Sequence, residues 1–255
     1  MNNKTLYFTL TSLIVGGVLF ASTIIRVPIP DSSYYYNTAR IDGSFDVFDV
    51  DKHLAHYDSL KIEIRTQQFR FSEYYQNADS IQQQKILDQA RDYIFYTLKD
   101  QVIPFWYATE WDFNGTTETP RQGTIACGYF VTTVLRHSGF HIDKYLLSRK
   151  ASKALIENTC SYQSIQIFRD YDFKGLLEHL EKLQDGIYIL GLDSHVGLLV
   201  KSGGKTQFIH SRKPKTVGVI QEKASESRTI ESSSIHVIGD LLNNDDFIQN
   251  WLQPV

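Results

Sequence analysis

The stretch RQGTIACGYFVTTVLRHSG, Arg121 to Gly139, decides how the rest of the chain is read. Cys127, Phe130, Val131, Val134 and Leu135 recur at the spacing of one helical face, so they predict a helix with a single apolar stripe. Ser138 and Gly139 end it, the glycine suiting a left-handed position after the last turn. Cys127 then sits in the first turn on the inward side. Free N–H groups there favour negative charge and lower a thiol's pKa. The same placement suits a small core residue, because unpaired cysteine is among the most buried residue types. The helix alone does not separate a nucleophile from a core thiol.

A second stretch bears on that choice. DSHVGLLVKSGGKTQFIHS, Asp193 to Ser211, reads as two strands joined at Gly203-Gly204, a dipeptide that permits the positive φ angles of a tight hairpin. If Ser202 pairs with Lys205, Gly197 faces His210 and His195 faces Arg212. Residues two apart share a face, so His195 and His210 lie diagonally on one side, with room beside them at Gly197. A thiol nucleophile needs an imidazole to take and return its proton. That imidazole needs a third polar group to fix its tautomer. Cys127 as nucleophile, His195 as base and His210 as orienting group fill these roles in chain order. Taken singly, either histidine reads as an ordinary hydrogen-bonded residue.

Composition narrows the remaining classes. The 255 residues carry 26 Lys and Arg against 29 Asp and Glu, a net charge of −3 with no long basic run, so a nucleic-acid partner is not expected. Cys127 and Cys160 are the chain's two cysteines, too few for a disulfide framework or a four-cysteine zinc site. His137 and His141 are four apart, but Gly139 interrupts the helix between them and no acid stands in the zincin position. The aspartates of IDGSFDVFDV, Ile41 to Val50, lack the EF-hand pattern and read as solvated. No metal and no cofactor is expected.

The apolar run Leu6 to Ile25 has no charged residue before Arg26 and is long enough to span a bilayer as a helix. Residues 1–26 are therefore expected to be a signal peptide or membrane anchor. The expected location follows: exported, in the periplasm or cell envelope, with residues 6–25 anchoring the chain in the inner membrane if uncleaved. Residues 27–104 read as a tether and helical segment. Pro28 and Pro30 block regular structure, and Tyr34, Tyr35 and Tyr36 suit a surface or a domain edge. Leu60 to Phe71 fits a strand or an irregular helix, and Asp79 to Leu98 fits a helix capped by Asp79 or Ser80 and stopped at Pro104. Residues 105–255 form the main domain. Its aromatic opening, Phe105 to Phe113, suits either core or a substrate groove, with Tyr107 and Trp111 as candidate groove residues. Gln122 is either an oxyanion donor or a solvated loop residue. Beyond the cysteine helix, His141 to Cys160 and Phe173 to Leu183 are expected to be helical, and Gln163 to Phe168 and GIYILGL to be strands.

ACGYFVTTVLRHSG resembles the nucleophile helix of the NlpC-type cell-wall cysteine peptidases, and SHVGLLV with QFIHS is similar to that family's His-Val-Gly and Ile-His strands. The resemblance covers roughly Phe105 to Gln221. It implies a papain-like α+β fold in which the cysteine helix packs on an antiparallel sheet. It also implies a Cys127–His195–His210 centre cleaving an amide in peptidoglycan stem peptides. One position departs from the family: Ala126 stands where an aspartate often precedes the cysteine. The same residues also suit an amidase or acyltransferase on another acyl donor, or a non-catalytic module binding cell-wall peptide or protein.

Overall fold

The apolar and alternating runs between Ile165 and Asp240 assemble into one sheet. The structure is a computed structural model describing residues 7–8, 25–26, 50–148, 152–170 and 172–253. It divides into two units, Met1–Phe48 and Asp49–Val255. In the first, β1 (Tyr7–Phe8) pairs antiparallel with β2 (Ile25–Arg26), Tyr7 opposite Arg26 and Phe8 opposite Ile25.

That pairing corrects the expected fold class. Both ends of the run read as an apolar export or anchor helix are strands, and among the described residues no helix is long and apolar enough to cross a membrane. What the structure has is a mixed α+β fold on an open antiparallel sheet. An unbroken apolar run carries no periodicity, so sequence alone does not separate helix from strand there. The membrane partner, the inner-membrane anchoring and the exported location all rested on that helix and fall with it. The rest of the run, the tyrosines at 34–36 and the aspartates before Val50 lie outside the described residues.

In the second unit the strands are β3 (Ile165–Arg169), β4 (Gly186–Gly191), β5 (Val196–Ser202), β6 (Lys205–Arg212), β7 (Gly218–Lys223) and β8 (Ile235–Asp240). Their order across the sheet is β3-β8-β4-β5-β6-β7, every pair antiparallel. β8 returns from beyond β7 to lie between β3 and β4, leaving β4 inside the sheet and buried along its whole length. The β5–β6 register has Ser202 opposite Lys205, as the glycine turn implies. Gly203 and Gly204 take φ of 55° and 76°, the positive values that a two-residue hairpin of this hand requires.

The helices described are α1 (Val50–Gln76), α2 (Ser80–Tyr96), α3 (Ile103–Trp106), α4 (Cys127–His137), α5 (Lys144–Ser148), α6 (Ser152–Thr159), α7 (Phe173–Lys182), α8 (Arg228–Glu231) and α9 (Asp245–Trp251). Leu60 to Phe71 belongs to α1: Tyr57, Leu60, Ile64 and Phe71 are buried at helical spacing, which outweighs the local alternation. Asp79 caps α2 in a reciprocal capping box with Gln82. Pro104 does not end the helix. A π-helical stretch, Thr97–Val102, leads into α3, and Pro104 sits in that helix's first turn, where a missing N–H costs little. Within the region from His141 to Cys160, Lys144–Ser148 and Ser152–Thr159 are helical.

On α4 the apolar stripe Phe130, Val131, Val134 and Leu135 is completely buried, and the helix packs against β5 and β6. Elsewhere Leu176 and Leu180 of α7 join Tyr188, Leu190, Leu199, Phe208 and Ile238 of the sheet in one apolar cluster. The α1–α2 pair closes on the C-terminal helix α9 through Phe71, Tyr93 and Trp251, whose ring centroids lie 5.6 to 5.9 Å apart.

Gly197 is where strand packing is tightest near the candidate histidines. A Cβ there would lie 2.6 Å from a Phe208 ring carbon, 2.7 Å from the Ile209 carbonyl oxygen and 2.8 Å from the His210 Cβ. Because one of these atoms is backbone, rotamer changes alone do not relieve the clash. Gly197→Ala should destabilise the protein by about 1–3 kcal/mol, the usual range for overpacking, as measured by urea denaturation. Unchanged stability would show that β5 and β6 can part without cost.

Candidate active site

The cysteine is positioned by hydrogen bonds on the segment leading to it. The Ile125 N–H donates to the Glu110 carbonyl at 2.8 Å, the Ala126 N–H to the Gly115 carbonyl at 2.9 Å, and the Ser211 hydroxyl of β6 to the Ile125 carbonyl at 2.7 Å. α4 then begins at Cys127. Its preceding residue, Ala126, is extended and offers no side-chain cap. Gly128 lets α5 approach, since a Cβ there would lie 2.5 Å from the Ser148 carbonyl oxygen.

Cys127 opens onto a pocket of about 930 Å³ whose lining includes Trp111, Phe113, His195, Arg212 and Lys213. His195, just ahead of β5, brings its Nε2 to 2.7 Å from Nδ1 of His210 on β6. The two rings meet nearly at right angles with centroids 4.9 Å apart. His210 is completely buried, and its ring lies over Phe208 at 4.1 Å. With Nε2 of His195 engaged by His210, its Nδ1 is the nitrogen left for a thiol. No hydrogen bond joins Cys127 to His195 among the described contacts. The backbone N–H of Val196, the residue after His195, hydrogen-bonds the Cys127 sulfur instead.

The electrostatics differ from the sequence expectation. Burial pushes the Cys127 thiol above its ordinary pKa, and the N–H groups of Val196, Gly128 and Cys127 itself only partly offset this. The expected lowering by the helix N-terminus is present but is outweighed by desolvation. Burial, then the Arg212 charge, lowers His195 to about 4. His210 is held well below the usual imidazole range by burial, then by His195 and Arg212. At neutral pH the three groups are thus a neutral thiol and two neutral imidazoles.

The other candidates fall in different places. Trp111 lines the pocket, as does Phe113, which is 79% exposed. Phe105 and Trp106 are core residues packed on Tyr57. Tyr107 is not among the lining residues; its hydroxyl donates to Gln221 Oε1 at 2.7 Å. Gln122 is exposed in a turn, its N–H bonded to the Thr119 carbonyl, and it does not line the pocket. The pocket's charged lining, Arg212 and Lys213, and its third aromatic wall residue, Tyr129, carried no signal in the sequence. Among the described residues no group of histidine, cysteine and acidic side chains is placed to hold a metal ion. Cys160 is a buried free thiol whose pKa burial raises to about 12. No family model matches the chain, and neither any curated protein nor any solved structure matches it significantly.

Two measurements follow from these environments. At pH 8, iodoacetamide should label Cys127 well before Cys160, and equal labelling of both would contradict the burial difference. Stability should also depend on pH in a defined window. The pKa values of His53 and His195 are lowered from 6.5 to about 4, so between these values the unfolded chain binds more protons. Their contribution is fully present above pH 6.5 and is lost as pH falls through 4. The melting temperature should therefore fall from pH 7 to pH 4, and less steeply in His195→Gln. A flat profile would mean these rings titrate normally.

Proposed function

We propose that the chain is a cysteine hydrolase that cleaves an amide bond through an acyl-thioester on Cys127. The observation that carries this reading is that His195, which lines the same pocket as Cys127, is held by a 2.7 Å contact with the buried His210. The likeness of ACGYFVTTVLRHSG, SHVGLLV and QFIHS to NlpC-type peptidases supports the same assignment of roles.

The resting thiol is neutral, so the first step couples proton transfer to attack. His195 Nδ1 takes the thiol proton as Cys127 Sγ bonds to the substrate carbonyl carbon. The carbonyl oxygen gains negative charge near the N-terminal end of α4, whose N–H groups and dipole favour it. His195, now imidazolium, passes its proton to the leaving nitrogen as the C–N bond breaks, leaving a thioester. Water then attacks that carbonyl carbon while giving a proton to His195, and the proton returns to sulfur as the acid is released. His210 holds the His195 ring throughout and accepts its Nε2–H.

The pocket also has a charge preference. Its charged lining residues are both cations, Arg212 and Lys213, and Ala126 stands where the family pattern would place an acid. A substrate carboxylate fits this wall better than an amine. Iodoacetate should therefore alkylate Cys127 faster relative to iodoacetamide in wild type than in Lys213→Glu, with the difference shrinking in high salt. An unchanged ratio would remove the preference for anions.

Hydrolysis of p-nitrophenyl acetate, followed by a screen of peptide amides, tests the assignment. Cys127→Ala should abolish turnover while keeping the fold. His195→Ala should lose about 10²–10⁴-fold, the usual worth of a general base. His210→Asn and His210→Gln keep an oxygen that accepts from His195, so they should retain more activity than His210→Ala. Full activity in Cys127→Ala would refute a thiol mechanism.

A further inference from the structure

Behind His210 stands an acid that no sequence pattern marked. β7 pairs with β6 so that Glu222 faces Phe208 and Ile220 faces His210. Alternate residues share a face, so Glu222 lies on the His210 side, one pair along. Its Oε1 is 3.3 Å from His210 Nε2, and its Oε2 is 3.7 Å from Arg212 Nη1. Both the Oε1 and the Nε2 are buried, and neither makes a hydrogen bond among the described residues, so at 3.3 Å each faces the other without a formed bond. The Glu222 side chain is 19% exposed and His210 not at all, so the contact is shielded from water.

We propose that Glu222 is a positioning residue that sets where the protons sit on both imidazoles. A carboxylate only accepts hydrogen bonds, so it selects the His210 tautomer that carries its proton on Nε2. His210 Nδ1 is then a bare acceptor, and across the 2.7 Å contact it selects the His195 tautomer protonated on Nε2. That leaves the His195 Nδ1 lone pair free to take a thiol proton. Without the acid, His210 can protonate on Nδ1 and force His195 into the opposite tautomer, in which Nδ1 already carries a proton and cannot act as a base. The carboxylate also stabilises the His195 imidazolium that forms during attack, acting through the intervening ring. This rests on the proposed thiol mechanism for its consequence, but the tautomers themselves can be read without any turnover.

The test is the long-range ¹H–¹⁵N correlation spectrum of histidine-labelled protein at pH 7, assigned with single-histidine substitutions. In wild type both His195 and His210 should be protonated at Nε2. Glu222→Ala should move His210 toward the Nδ1–H form and His195 with it, and should slow iodoacetamide alkylation of Cys127 about tenfold or more, a part of what a general base supplies. Glu222→Gln keeps a carbonyl acceptor, so it should hold the wild-type tautomers and stay within about threefold in rate, since a neutral acceptor fixes the same tautomer. Arg212→Met removes the ion pair to Glu222 and a cation of the pocket wall but leaves the carboxylate facing His210, so both tautomers should stay unchanged. An Nδ1–H His210 in wild type, or a Glu222→Ala spectrum identical to wild type, would overturn the proposal. If the tautomers respond as described while Cys127→Ala hydrolyses substrate normally, the relay stands and the hydrolase reading falls.

Discussion

The His195–His210 contact depends on a single constraint, the register of the β5–β6 hairpin. A slip of one residue would send His210 to the opposite face of the sheet, because side chains alternate along a strand. Gly203 and Gly204 fix that register by adopting positive φ, and Gly197 removes the side chain that would otherwise push the two strands apart at the histidines. The site is therefore held by backbone geometry in its least adjustable part. The serine that follows His210 points the other way and ties β6 to the segment ahead of Cys127. One short strand thus carries His210 and holds the approach to the thiol.

Burial governs the chemistry of these groups. The same desolvation that raises the Cys127 pKa lowers those of His195 and His210, so the resting site stores no ion pair. A neutral thiol beside a neutral imidazole suits a mechanism in which proton transfer accompanies attack. The charges that remain lie around the rings. Arg212 and Lys213 line the pocket, and Glu222 touches His210 from behind. The cations act on what enters the pocket, and the acid acts on the proton positions within it.

What could be read in the sequence was what local pattern encodes. The stripe from Phe130 to Leu135 gave α4, the glycine pair gave the hairpin, and strand parity brought His195 to His210. What could not be read was encoded by partners far along the chain. β8 reaches its place between β3 and β4 only through long-range pairing, and nothing in IHVIGD says which strands it will separate. Glu222 sits in an ordinary alternating strand, and its role exists only because β7 lies beside β6. The apolar run from Leu6 misled because hydrophobicity without period is compatible with helix and strand alike, and the pairing of Tyr7 with Arg26 resolves it toward strand at its ends. The thiol pKa was misjudged for a related reason: the helix N-terminus is visible in sequence, while the depth of burial that outweighs it is not.

The claim that Cys127, His195 and His210 form one acyl-transfer centre is tested most directly by pre-steady-state acylation with p-nitrophenyl acetate. The account predicts a burst of one nitrophenolate per chain and, on quenching in acid, an acetyl group on the peptide containing Cys127, with the burst lost in Cys127→Ala and strongly slowed in His195→Ala. No burst, or an acetyl group carried by Cys160 or a lysine with Cys127 left free, would contradict it.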